Sequence, residues 1–156
     1  MTAPLVAGCD VVDITRLSTV IDRRPAFRER VFTDRERADA RRGDVEVGSW
    51  TELSRLAARF AAKEATRKAL GELGLAFQAI EVRSAPDGAP RLWVRGAPSA
   101  LACSLSHDGG VAMAVVVGTS ATAPDSSATA HDRSTTAPDP TATAPDPTAT
   151  TPGATA

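Results

Sequence analysis

From Leu5 to Ile14 the chain alternates with the period of a strand, and Val6, Gly8, Asp10, Val12 and Ile14 fall on one face. Asp10 therefore points the same way as three hydrophobes. Thr15 can cap a helix running to about Asp22, and Pro25 can open a short helix through Val31. Thr33 followed by Glu36 forms a capping box for a third, Arg-rich helix that Gly43 ends, and the polar stretch from Gly43 to Ser49 is expected to be mobile. The longest periodic element runs from about Trp50 to Gly71, with Thr51 or Ser49 as its N-cap. With Leu53 as the reference and a step of about 100° per residue, Trp50, Leu56, Ala57 and Phe60 lie within roughly 60° of it. Continuing the step puts Glu64 at about 20°, Arg67 at about −40° and Lys68 at about 60°, so the stripe turns charged without changing face.

Four short strands follow, Ala79 to Arg83, Arg91 to Arg95, Ala102 to Ser106 and Val111 to Val117, with turns at Asp87-Gly88 and Asp108-Gly109. Two successive antiparallel hairpins are the simplest assembly, with a short helical turn at Ala97-Pro98-Ser99 between them. The expected fold is α+β, one long helix packed on a small antiparallel sheet.

Composition confines that fold to residues 1–118. The last 38 of the 156 residues contain no Val, Ile, Leu, Met, Phe or Trp, so residues 119–156 cannot bury enough apolar surface to offset their chain entropy. This Thr/Ala/Pro/Asp tail carries a seven-residue repeat, Ala137 to Thr143 and Ala144 to Thr150, without the apolar positions of a coiled coil, and is expected to be disordered. A second globular domain is excluded. Net charge is −1, and the tail's one Arg and four Asp leave the first 118 residues at +2, too mild for a nucleic-acid binder that works by bulk charge. The charge is nevertheless uneven, with nine Arg against five acidic residues between Arg16 and Arg42, which predicts a basic face. No run approaches the roughly 18 apolar residues of a membrane span. Val6-Ala7-Gly8-Cys9 is similar to a lipoprotein cleavage box, but only eight residues precede the cysteine, without a basic or full apolar leader. Cys9 and Cys103 lie in apolar runs and read as two buried thiols in a reducing cytoplasm.

Asp10 and Glu64 are the informative positions, because an ionised carboxylate on an apolar face needs a partner or a shifted pKa. If the two converge, a cation must separate them, and hard oxygen ligands completed by waters suit Mg²⁺. Otherwise Asp10 caps a turn and Glu64 pairs with Lys68 at i,i+4, which is worth about 0.2–0.5 kcal/mol. His107, the one histidine of the first 118 residues, precedes an Asp-Gly turn and on its own reads as a turn residue.

The run Arg59-Phe60-Ala61-Ala62-Lys63-Glu64-Ala65-Thr66-Arg67-Lys68-Ala69-Leu70-Gly71 resembles the signature of holo-acyl-carrier-protein synthases, the small phosphopantetheinyl transferases, whose pattern is Phe-Ala-x-Lys-Glu-Ala-x-x-Lys-Ala-Phe-Gly. Gly8-Cys9-Asp10 matches that family's early Gly-x-Asp, with Arg16 six residues on. Glu29-Arg30-Val31-Phe32-Thr33 is similar to its Glu-Arg-Ile-Leu-Thr run, and Ser104-Leu105-Ser106-His107 to its closing strand. The resemblance spans Leu5 to Val117 and implies a phosphopantetheinyl transferase-like fold.

It further implies transfer of 4′-phosphopantetheine from coenzyme A to a serine of an apo acyl carrier protein of fatty acid, polyketide or nonribosomal peptide synthesis, with release of adenosine 3′,5′-bisphosphate. In that reading Asp10 and Glu64 hold Mg²⁺, Lys68 stabilises the leaving group, and either Glu64 or a metal-bound water is the base. Lys68, Arg59, Ser106 and His107 then surround coenzyme A. Arg16, Arg23, Arg24 and Arg30, with Phe27 among them, suit an acidic carrier protein. The resemblance also implies a homotrimer with sites at the subunit boundaries. Three departures stand out: Leu70-Gly71-Glu72-Leu73-Gly74 in place of the usual Phe-Gly-Thr-Gly continuation, Ala89 where the family carries a lysine between Gly88 and Pro90, and the tail. The rival readings are a non-catalytic carrier-binding paralogue of the same fold and an Arg-rich nucleic-acid binder, the latter disfavoured by the mild charge.

Overall fold

Alternation along the first strand carries through to the fold: in β1 (Leu5–Asp13) Val12 is buried and Val6, Gly8 and Asp10 are half-buried on one face, while the residues between them are exposed. This computed structural model describes residues 3–120. The tail lies outside them except for Thr119 and Ser120, and Thr119 already belongs to the last strand, one residue past the expected boundary.

Three short helices follow β1: α1 (Ile14–Arg23), α2 (Ala26–Val31) and α3 (Asp34–Ala40). The first is capped by Asp13, whose carboxylate accepts from the Arg16 amide at 2.8 Å, and not by Thr15. Asp13 wins because the strand ends on it in extended geometry, one residue before the first buried position, Ile14. The capping box of α3 forms as expected, with Thr33 and Glu36 bonded in both directions. The stretch between Gly43 and Ser49 is tied near both ends: Arg55 donates to the Ala40 and Arg42 carbonyls just before it, and the Gly48 amide donates to buried Glu52.

The central helix α4 (Trp50–Leu70) starts at Ser49, which accepts from the Glu52 amide, and stops at Gly71 in the left-handed region that favours glycine. It is buried on three sides. Ala57, Ala58, Ala61, Ala62, Ala65 and Ala69 join the core against the sheet, and Leu56 packs with Val31, Phe32 and Ala40 of the short helices. The third side carries Glu52, Arg59 and Lys63, all buried. Trp50, expected in the buried stripe, is 55% exposed: its angle on the helix is right, but it sits in the first turn, at the helix's open end.

Beyond α4 a 3-10 turn (Phe77–Ala79) leads into β2 (Ile80–Ser84), β3 (Pro90–Val94), β4 (Ala97–Pro98), β5 (Ala102–Asp108) and β6 (Val111–Thr119). Both hairpins form, β2 with β3 and β5 with β6. Ala97 and Pro98 are a short strand on β3 and not a helical turn, because Arg95 and Gly96 both take positive φ, the geometry of a two-residue hairpin loop. The described residues thus hold two three-stranded antiparallel sheets, β1-β6-β5 and β2-β3-β4. Strand β1 pairs with β6 along all nine residues, Leu5 opposite Thr119 and Asp13 opposite Val111.

Lys63 and Glu36 lock α4 to α3 and β2. Both are fully buried, 2.7 Å apart, and every charge is matched: Lys63 also donates to the Phe77 and Ile80 carbonyls, and Glu36 accepts from the Thr33 and Val82 amides. Burial lowers the Lys63 pKa from its ordinary value, and Glu36 opposes that shift.

Candidate active site

Gly8 determines how near the first strand comes to α4. A Cβ at this position would stand 2.0 Å from the Ala65 carbonyl oxygen and 2.8 Å from the Ala69 amide nitrogen, both backbone atoms. Without a side chain at residue 8, β1 lies against the alanine face of the helix, and Asp10, two residues on and on the same face, is carried over its last turns. There Asp10 Oδ1 accepts from Lys68 Nζ at 2.7 Å, and the same ammonium donates to the Cys9 carbonyl at 2.8 Å. The bond to Asp10 is the main cause of a raised Lys68 pKa, so this half-open lysine is firmly cationic.

Glu64 does not pair with Lys68, although the i,i+4 spacing allows it. Its two carboxylate oxygens both accept from Arg67 Nη1, at 3.3 Å each. The Arg67 guanidinium lies 4.6 Å from the centre of the Phe77 ring. Phe77 in turn packs against Phe60 at 5.3 Å, and Phe60 against Phe27 at 5.9 Å.

Asp10 and Glu64 both line one cavity of about 520 Å³, together with Arg16, Leu17, Val20, Phe27 and Phe60. A second cavity of about 580 Å³ is lined by Arg24, Ala26, Phe27, Arg30, Val31 and Phe77, so Phe27 borders both. Of the arginines expected to face a carrier, Arg16 therefore joins the carboxylates, Arg24 and Arg30 flank the neighbouring hollow, and Arg23 lines neither. All four are exposed, and none forms an ion pair among the described residues. Their neighbours are used differently: Arg28 is tied to Glu52 at 2.7 Å, Arg37 to Asp34 at 2.5 Å and Arg42 to Asp39 at 2.9 Å.

None of the four expected coenzyme A residues lines the cavity; Lys68 reaches it only through its bond to Asp10. Arg59 is buried, donating to the Arg55 carbonyl at 3.1 Å and to Ser84 Oγ at 3.3 Å, with Asp39 3.8 Å away. It braces α4 against α3 and β2. Ser106 stands opposite Met113 on the outer face of the sheet, and His107 is exposed at the end of β5, opposite Ala112. Cys9 is exposed on that outer face and not buried, since Gly8 and Asp10 take the inner one. Cys103 is half-buried, and desolvation pushes its thiol up to about 11. Both thiols are free.

Sequence reasoning missed the roles of Arg67 and Lys63. The i,i+3 spacing from Glu64 was a signal for the first. Nothing local signalled the second, whose partner lies 27 positions earlier in the chain.

Among the described residues no group of three or more His, Cys, Asp or Glu side chains is arranged to hold a metal. The pair Asp10 and Glu64 nonetheless fits Mg²⁺, which binds through one or two carboxylates and keeps water and phosphate oxygens for the rest of its shell. No helix among the described residues is long and apolar enough to cross a membrane.

A family model described as the 4′-phosphopantetheinyl transferase superfamily matches residues 7–116. The chain belongs to that superfamily. The holo-[acyl-carrier-protein] synthase of Frankia alni is 43% identical over 123 residues, which is 72% of this chain and 95% of that protein. That of Beutenbergia cavernae is 42% identical over 120 residues, 70% of this chain and 93% of the relative. Among solved structures, the Helicobacter pylori holo-[acyl-carrier-protein] synthase in complex with coenzyme A superposes with a TM-score of 0.58 at 29% identity, covering 70% of this chain and 96% of that one. The expected fold and the expected enzyme class of this phosphopantetheinyl transferase therefore both hold.

Proposed function

We propose that this transferase moves 4′-phosphopantetheine from coenzyme A to a serine of an apo acyl carrier protein, with Mg²⁺ as cofactor and adenosine 3′,5′-bisphosphate as the second product. The observation that carries this reading is that Asp10 and Glu64 line one cavity, with Lys68 bonded to Asp10. Those two carboxylates would hold Mg²⁺, which when bound neutralises charge on the pyrophosphate of coenzyme A. Lys68, kept cationic by Asp10, meets the negative charge that builds on the leaving phosphate. Both carboxylates are engaged, Asp10 by Lys68 and Glu64 by the longer contacts of Arg67, and Glu64 would take the serine proton once Arg67 releases it. The serine oxygen forms its bond to the phosphorus that carries pantetheine, and the bond from that phosphorus to the bridging oxygen breaks. The nucleotide leaves with that electron pair.

The unpaired Arg16, Arg24 and Arg30 around Phe27 supply a basic rim with an apolar anchor for an acidic carrier, and Arg23 extends it along α1. On the far side of the sheet, Leu5, Val11, Val111, Met113, Val115 and Val117 form an exposed apolar face. A face of this kind marks an association surface, and it supports assembly of the transferase as a homotrimer. Ser106 lies on the same face, so contact with coenzyme A through Ser106 or His107 would be made at a subunit boundary. Two free thiols fit a cytoplasmic setting.

The test is incubation of the full chain with coenzyme A, Mg²⁺ and a panel of apo carriers, read by mass spectrometry. A mass gain of one phosphopantetheine arm that is lost in Asp10→Asn and in Glu64→Gln is expected. Carrier binding without any mass gain across the panel would support the non-catalytic paralogue instead. Light scattering should give three copies, and a fully active monomer would overturn the assembly.

A further inference from the structure

We infer that Arg67 is a built-in competitor of the divalent ion for Glu64, so that the ion binds weakly until the substrate's phosphates arrive. This rests on the reading of Asp10 and Glu64 as the ion's ligands. Two carboxylates share the cavity, and two cations of α4 divide them: Lys68 crosses to Asp10, which leaves Glu64 to Arg67. Both Glu64 oxygens are engaged by the same nitrogen at 3.3 Å. That exceeds the 2.7–2.9 Å or so of a strong charge-assisted bond, and Glu64 can exchange such a hold for another cation.

Arg67 does not depend on Glu64 to stay where it is. Its guanidinium rests on Phe77, which is backed by Phe60 and then Phe27. Its Nε is buried with no hydrogen-bond partner among the described residues, so the side chain is held by packing and not by a full set of bonds. When Glu64 turns to a divalent ion, a positive charge therefore remains beside the site. Before the ion arrives, that same charge keeps two nearby carboxylates from repelling each other. A pyrophosphate entering the cavity offsets Arg67, and ion and coenzyme A should then bind cooperatively.

The experiment titrates the full-length protein with MnCl₂ and reads free Mn²⁺ by electron paramagnetic resonance, with and without coenzyme A. Two variants, Arg67→Gln and Arg67→Met, both remove the charge, and the second keeps an apolar stem over Phe77 should the first fold poorly. Removing the arginine is expected to tighten Mn²⁺ binding about three- to tenfold without coenzyme A and to shrink the gain that coenzyme A brings. A merely structural role would weaken binding instead. Affinity equal to or below the parent's in both variants overturns the competitor role. Asp10→Asn and Glu64→Gln separate the two claims. If they weaken Mn²⁺ binding while the Arg67 variants gain nothing, only the role of Arg67 falls; if they leave binding unchanged, the ligand reading falls and takes the role of Arg67 with it.

Discussion

Replacing Gly8 by alanine adds one methyl group where two backbone atoms of α4 already stand. From 2.0 Å, that carbon must retreat to 3.4 Å before contact with the Ala65 oxygen is ordinary, a shift of 1.4 Å. Helix backbone cannot rotate aside as a side chain can, so β1 has to lift. Lifting carries Asp10 with it, and a 2.7 Å bond to Lys68 stretched by that amount is no longer a hydrogen bond. Overpacking of this sort costs about 3 kcal/mol at the upper end, which lowers the melting temperature of a domain of this size by roughly 10–15 °C. Misplacing a reacting group by about 1 Å costs about 100-fold in rate, so turnover should fall by that order even at temperatures where the variant is folded. Thermal melts followed by circular dichroism, with phosphopantetheine transfer measured well below the melting point, separate the two effects. Gly74→Ala is the control, because a Cβ there meets nothing within 4 Å, and it should be neutral in both assays. A Gly8→Ala protein that melts and turns over like its parent would show that residue 8 does not set the distance between strand and helix.

Three further outcomes are expected. Lys63→Met leaves Glu36 charged and buried without its partner and should cost about 3–5 kcal/mol in urea melts, with part of that recovered when Glu36→Gln is added; an unchanged midpoint for the single variant refutes the pair's structural role. Arg16→Glu should raise the KM for the carrier roughly tenfold at low salt, and equal carrier affinity in variant and parent removes Arg16 from docking. Cys103, its thiol pushed up to about 11 by burial, is about 0.1% thiolate near pH 8 and should resist iodoacetamide in the folded protein but react once urea unfolds it. Rapid labelling of native Cys103 would contradict its burial.

Period-two alternation was enough to place Asp10 on the inner face of β1, because one strand has only two faces. It could not say how near that face comes to the helix, which Gly8 decides through contacts with residues 65 and 69. The helical step located Glu64 and Lys68 on one side of α4, but it measures angle and not position along the axis, and Trp50 therefore lay outside the core despite a correct angle. The step also assumes a single buried stripe. In the fold, sheet, short helices and β2 surround α4, which is why Arg59 and Lys63 are buried off the predicted face. The choice of Glu64 between Arg67 and Lys68 was invisible to any local rule: Asp10, 58 positions earlier in the chain, claims the lysine. Ala97 and Pro98 were misread for a similar reason, since what makes them a strand is the left-handed pair Arg95 and Gly96 folding them back on β3.

The pairing of β1 with β6 has a consequence for how the enzyme comes into being. Asp10 sits on a strand whose ladder partners are residues 111–119 and nothing nearer in sequence. A growing polypeptide that has already made Glu64 and Lys68 still has no constellation, because the segment bearing the third group has no neighbour to align it. Closing so long a loop is entropically slow, so catalytic competence should emerge late and all at once, as the final strand slides between the first and the fifth.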